Sequence, residues 1–122
     1  MKVSIFKNIK ETTNPFNRDV YFALNRIKNG NSKKLVSEIR LMSSKEDRDK
    51  AKLTLPTVCF NGTFKTRSAI NLIELSGLII CDFDGFDSFE DAVSFRDSIS
   101  SDKFIFAAWI SPSGLGVKVL VK

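Results

Sequence analysis

The run LIICDFDGFD over residues 78–87 limits this chain's options more than any other segment. Four apolar residues lead into Asp82 and Asp84, with Phe83 between them and Gly85 after them. Continuous apolar character over five or six residues is the pattern of a strand buried on both faces, so the run predicts a central strand over 78–83. Side chains alternate faces along a strand, which puts Asp82 and Asp84 side by side and turns Cys81 and Phe83 toward the core. Two adjacent carboxylates repel each other unless a positive charge sits with them. Mg²⁺ or Mn²⁺ meets that demand, as a hard cation that takes oxygen ligands and often carries a phosphate. Asp82 and Asp84 are therefore the candidate metal ligands and catalytic carboxylates. The competing structural reading is that aspartates just past a strand cap helices, for which Asp87 and Ser88 are also placed.

A second motif, SPSGLGVK over 111–118, lies between two further strand patterns at 104–110 and 117–122. Ser-Pro-Ser-Gly suits a type I turn, and turn chemistry alone accounts for Pro112 and Gly114. Gly116 and Lys118 ask for more. Two glycines two apart let backbone N–H groups approach an anion, Ser111 and Ser113 add hydroxyls, and Lys118 adds an ammonium. Ser111, Ser113, Gly114, Gly116 and Lys118 form the candidate nucleotide-phosphate site. Upstream, Lys65 and Arg67 in NGTFKTR are two more cations, which either contact phosphate or face water. Trp109 reads first as core and second as a residue on which a base could stack.

The remaining pattern is that of an α/β (α+β) chain. Residues 3–9 alternate like a strand, a turn follows at 12–15, and Asn17 is placed to cap a helix with Val20, Ala23, Leu24 and Ile27 on one face. Ser32 opens a second helix with Leu35, Val36, Ile39 and Met42 on one side. The charged stretch 43–52 reads as a third, and 57–64 as a strand with an irregularity at Gly62. Ser88 opens a helix whose apolar face is Phe89, Ala92, Val93, Phe95 and Ile99. Strands and helices in this order predict a mixed β-sheet with flanking helices. At 122 residues the chain is one domain, with a basic helical portion at 1–56 and the candidate site in 57–122. A last strand running to Lys122 would leave a bare edge, so the domain is expected to be incomplete at its C-terminus.

Charge separates the two portions. Residues 1–56 hold thirteen Lys/Arg against six Asp/Glu, and 57–122 hold six against eight. A basic surface ahead of an acidic site suits polyanions such as nucleic acid, or simply a solvated helical face. Without histidine and with only Cys59 and Cys81, the ligand count argues strongly against a structural zinc site. Both cysteines fall in predicted strands, which favours reduced thiols and a cytoplasmic setting. No apolar run is long enough to span a membrane.

Together, LPTVCFNGTFKTR, LIELSGLIICDFDGFDS and FIFAAWISPSGLGVKVLVK resemble the N-terminal primase-like domain that precedes VirE-type helicases of bacteria and phages, in the archaeo-eukaryotic primase (primase-polymerase) superfamily. The resemblance covers residues 55–122 and implies an RRM-like core. It implies that Asp82 and Asp84 bind Mg or Mn, and that SPSGLGVK contacts the phosphates of an incoming nucleoside triphosphate. It also implies synthesis on a DNA or RNA template, in a DNA-replication protein with a helicase region downstream. Lys118 falls near the place where many members carry a histidine, and the third metal-binding aspartate would follow Lys122.

Two other readings stay open. A haloacid-dehalogenase-type phosphatase also presents a hydrophobic strand and Asp-x-Asp-Gly, with Asp82 then the nucleophile and Asp84 the acid. A non-catalytic module would bind nucleotide or nucleic acid without turnover.

Overall fold

The computed structural model describes the whole chain as two compact units, Met1–Gly77 and Leu78–Lys122. The α+β class holds, with eight strands and four α-helices. All strand pairings are antiparallel, and the strands are shared among three sheets where one mixed sheet was expected.

In the first unit, β1 (Lys2–Phe6) lies between β2 (Phe16–Asp19) and β3 (Thr57–Cys59). β2 runs straight into α1 (Val20–Lys28), whose cap is Asp19: its carboxylate accepts from the Tyr21 N–H at 2.9 Å. Asn17, the expected cap, instead sits in β2 and accepts a hydrogen bond from the buried Ser4 hydroxyl at 2.6 Å. Every residue of β2 is exposed, so it carries no alternation for a pattern search to find. Next come α2 (Lys33–Leu41) and α3 (Lys45–Lys52), as expected.

The single strand expected over 57–64 is two strands. A turn at Phe60 and Asn61 separates β3 from β4 (Gly62–Phe64), and β4 pairs with β5 (Leu72–Leu75) in a sheet of its own. Gly62 marks the change of sheet. A Cβ there would lie 2.2 Å from the Glu74 carbonyl oxygen, so only glycine allows the two backbones to approach this closely.

The second unit is built from β6 (Ile79–Phe83), α4 (Phe89–Ile99), β7 (Ile105–Ile110) and β8 (Val117–Val121), with sheet order β6-β8-β7. β6 and β7 are each antiparallel to β8, so they run parallel to one another with α4 as the crossover, a split βαβ unit. The apolar run at 78–83 therefore forms an edge strand, not the centre, and Ile79 is 65% exposed. The centre is β8, where Val117, Val119 and Leu120 are fully buried. The bare edge expected at the last strand is absent for the same reason: β8 is hydrogen-bonded on both sides. The misplacement has a simple origin. Hydrophobicity alone does not say which of three apolar strands the topology puts in the middle.

α4 covers one face of this sheet. Ala92 packs with Val117 and Val119, and Cys81, Phe95, Ala108 and Ile110 close around them. The Phe95 ring centre lies 5.0 Å from that of Phe83 and 5.3 Å from that of Phe86. Ser88 caps the helix, its hydroxyl accepting from the Asp91 N–H at 3.1 Å. Since residues on this face alternate with those on the other, packing α4 here fixes what the opposite face displays.

Candidate functional site

What the opposite face displays is two cross-strand rows. Asp82 on β6 and Trp109 on β7 are both register partners of Lys118 on β8. Directly opposed residues share a face, so Asp82, Lys118 and Trp109 form one row. The Lys118 Nζ donates to Asp82 Oδ1 at 2.7 Å. The positive charge that the paired carboxylates demand is thus present in the chain itself. Both side chains are partly solvated, at 35% and 50% exposure, so a ligand can reach them.

One residue beyond the paired ends of β6, β8 and β7 lie Asp84, Gly116 and Ser111, the second row. Ser111 N–H donates to the Gly116 carbonyl at 2.9 Å, closing the hairpin between β7 and β8. A Cβ at Gly116 would stand 2.6 Å from Asp84 Oδ1 and 2.9 Å from Ser111 Oγ. The second glycine is therefore required by space: it leaves room for a carboxylate and a hydroxyl. The fold assembles Asp82, Asp84, Ser111, Gly116 and Lys118 at one end of one sheet face.

The loop itself is internally bonded. Gly114 N–H donates to the Ser111 carbonyl at 2.9 Å, the closing bond of the expected type I turn, and Gly114 has φ 80°. The Ser111 and Ser113 hydroxyls lie 3.0 Å apart, and Ser113 Oγ accepts from Leu115 N–H at 3.3 Å. Gly114 and Ser113 thus shape the loop, while Lys118 and the two aspartates carry the charge that faces out of the sheet.

Lys65 and Arg67 belong to the Met1–Gly77 unit. Lys65 is exposed, and its N–H donates to the Asn71 carbonyl at 2.9 Å. Arg67 is tied inward: its guanidinium donates to the Ile9 carbonyl and lies 5.9 Å from the Phe6 ring centre, and its N–H donates to the Thr12 carbonyl. These bonds pin the segment that leaves β1, a structural task. Burial pushes the nearby Cys59 thiol up, with the Arg67 charge opposing in part. Cys59 and Cys81 are both free thiols.

Whether the residues fit a divalent cation turns on their number. Asp82 and Asp84 are the two carboxylates of the rows, and no cluster of three His, Cys, Asp or Glu side chains exists in the chain. Mg²⁺ is commonly held by one or two carboxylates, with substrate phosphates and water completing its octahedron. The pair fits a cation that arrives with a phosphate, and falls short of a cage that would hold one alone.

The family comparison identifies the chain. Residues 49–122 match the model described as BT4734-like, N-terminal domain, and the chain belongs to that family. This corrects the resemblance to the VirE-type primase domain: the motifs 55–122 that carried it lie wholly inside the BT4734-like match, and no primase family matches. Neither the curated proteins nor the solved structures compared with the chain gave a match. No helix is long and apolar enough to cross a membrane.

Proposed function

We propose that the Leu78–Lys122 unit binds a nucleoside triphosphate with Mg²⁺ or Mn²⁺, and that its chemistry is nucleotidyl transfer on a nucleic-acid template. The observation that carries this reading is the pairing of Lys118 with Asp82 beside Asp84 on one accessible sheet face. Asp82 and Asp84 would hold the cation, which when bound neutralises phosphate charge and lowers the barrier to in-line displacement. Lys118 would release Asp82 and take a phosphate oxygen, exchanging one charge-assisted bond for another. Gly116 keeps Asp84 against the loop. The basic 1–56 portion suits a template strand, and two free thiols suit a reducing compartment such as cytoplasm.

A non-catalytic nucleotide-binding role is the second reading, favoured by the count of two carboxylates rather than three. Calorimetric titration of nucleoside and deoxynucleoside triphosphates with Mn²⁺, on the native chain and on Asp82→Ala/Asp84→Ala, tests the common core of both. Binding that needs both metal and carboxylates supports the site. Template-directed incorporation then separates catalyst from binder. Absence of binding by a folded native chain, or phosphatase turnover that depends on Asp82, would overturn the proposal.

A further inference from the structure

A second charged surface lies on the Met1–Gly77 unit and takes no part in the site above. Phe16 and Arg18 share one face of β2, an edge strand with no buried residue. Phe22 and Arg26 are four apart on α1 and so stand on one side of that helix. The strand-to-helix junction at Asp19 joins the two pairs into a ladder. The Arg18 guanidinium carbon lies 6.0 Å from the Phe16 ring centre and 5.9 Å from that of Phe22, and the Arg26 carbon lies 5.8 Å from the Phe22 ring centre. Two arginines thus interleave two phenylalanines that remain 58% and 46% exposed.

Neighbouring charges leave the ladder cationic. Asp19, the acid at the junction, is already engaged by the Tyr21 N–H and by the N-terminal ammonium at 3.6 Å. The two guanidinium groups, at the outer limit of cation–π contact, cover these rings only in part and leave both phenylalanines substantially exposed, a cost to a water-soluble surface, and guanidinium planes are suited to phosphates as well as to rings. A partner that presents flat π-faces and regularly spaced anions satisfies both residue types at once. A single-stranded nucleic acid is such a partner, whereas a duplex hides its base faces.

We infer that Phe16, Arg18, Phe22 and Arg26 form a binding surface for single-stranded nucleic acid, with bases stacked on the two rings and phosphates held by the two guanidinium groups. This surface lies within the basic 1–56 portion that the proposed function gives to a template strand and so rests on that part of the reading, but it stands on the first unit alone: its failure would leave the nucleotide site untouched, and the reverse.

The test is fluorescence anisotropy of labelled oligothymidylate and oligouridylate about 20 nucleotides long, a length that exceeds one stacking platform. It uses the full chain at several salt concentrations. Phe22→Leu keeps apolar bulk and removes the π-face, and is expected to weaken binding of the strand by roughly tenfold. Arg18→Lys keeps the charge and loses the planar fork, and should also weaken it. A charge-matched control, Lys33→Ala/Lys34→Ala on exposed α2 positions, should have a smaller effect than removing Arg18 and Arg26 together. The tighter of the two oligomers tells DNA from RNA. The inference is overturned if neither strand binds, if duplex of equal length binds as well, or if Phe22→Leu binds like the native chain while the α2 control accounts for the loss.

Discussion

Lys118 reaches across from the central strand to Asp82 on the edge strand, Nζ to Oδ1 at 2.7 Å, with Trp109 opposite Lys118 on its other side. The lysine therefore answers the charge of the aspartate pair when no ligand is bound. A cation or a phosphate must compete with that bond from opposite ends, and this makes the two ligands separable by mutation.

Lys118→Ala should move them in opposite directions. Removing the ammonium frees Asp82, so Mn²⁺ alone should bind more tightly, while nucleoside triphosphate should bind less tightly and lose more than the monophosphate. The half-exposed ion pair contributes at most about 1 kcal/mol, so the midpoint of chemical unfolding should hardly change. Calorimetry with metal and nucleotide separately reads both signs. Equal losses for mono- and triphosphate would reduce Lys118 to a surface residue.

Gly116→Ala tests the second row through sterics. The new methyl meets Asp84 Oδ1, Ser111 Oγ and the Phe83 carbonyl at 2.6, 2.9 and 3.0 Å, at a buried position just ahead of the central strand. Forced contacts of this kind cost roughly 1–3 kcal/mol. Denaturant unfolding should show that loss. Adding Asp84→Ala should recover part of it, because one of the three crowding atoms is gone. Additive effects in the double mutant would mean that Asp84 does not lean on Gly116.

Much of this site was legible from short motifs because the rows follow from arithmetic along a hairpin. Asp82 and Asp84 share a face by strand period, and the Ser-Pro-Ser-Gly turn announces where β7 and β8 fold together. Trp109 was legible in principle from the same arithmetic: counting outward from the loop sets it opposite Lys118. What sequence did not disclose was the order of strands. The run at 78–83 is as apolar as a central strand but lies at an edge, since β8 inserts between β6 and β7. β2 escaped notice because all of its side chains face water, and the bond from Arg67 to the Ile9 carbonyl, neither a phosphate contact nor a solvent-facing charge, has no local sequence signal.

Ser4→Ala should be among the more damaging small substitutions in the first unit. The buried Ser4 hydroxyl donates to Asn17 Oδ1 at 2.6 Å and accepts from Phe64 N–H at 2.9 Å, linking β2, β1 and β4. Alanine leaves the Phe64 N–H without its acceptor, a loss of about 1–3 kcal/mol. Denaturant unfolding measures it, and amide exchange at Phe64 should accelerate. Unchanged exchange there would show that the hydroxyl bond is dispensable.

Cys59 gives a pH prediction whose sign is fixed by burial. Its thiol is pushed up because the charged form is poorly solvated, so the folded state binds the proton more tightly than the unfolded state does. The resulting stabilisation is fully present below the ordinary thiol range and is lost as pH rises through the raised folded value. Unfolding midpoints should therefore fall in alkaline buffer more steeply for the native chain than for Cys59→Ala. Parallel curves for the two proteins would refute the assignment.

Trp109 is the chain's single tryptophan, so its emission reports on one row of one sheet face. It lies opposite Lys118, two strands from Asp82, which at the usual strand spacing is roughly 10 Å. A triphosphate held at Lys118 and the aspartates brings its sugar and base within reach of that distance. Mg²⁺ with a nucleoside triphosphate should shift or quench the emission, whereas inorganic triphosphate, which has no base, should change it less. Asp82→Ala/Asp84→Ala should abolish the response to both. If calorimetry registers binding while the emission stays constant, the nucleotide occupies some place other than these rows, and the assignment of Asp82, Asp84 and Lys118 fails with it.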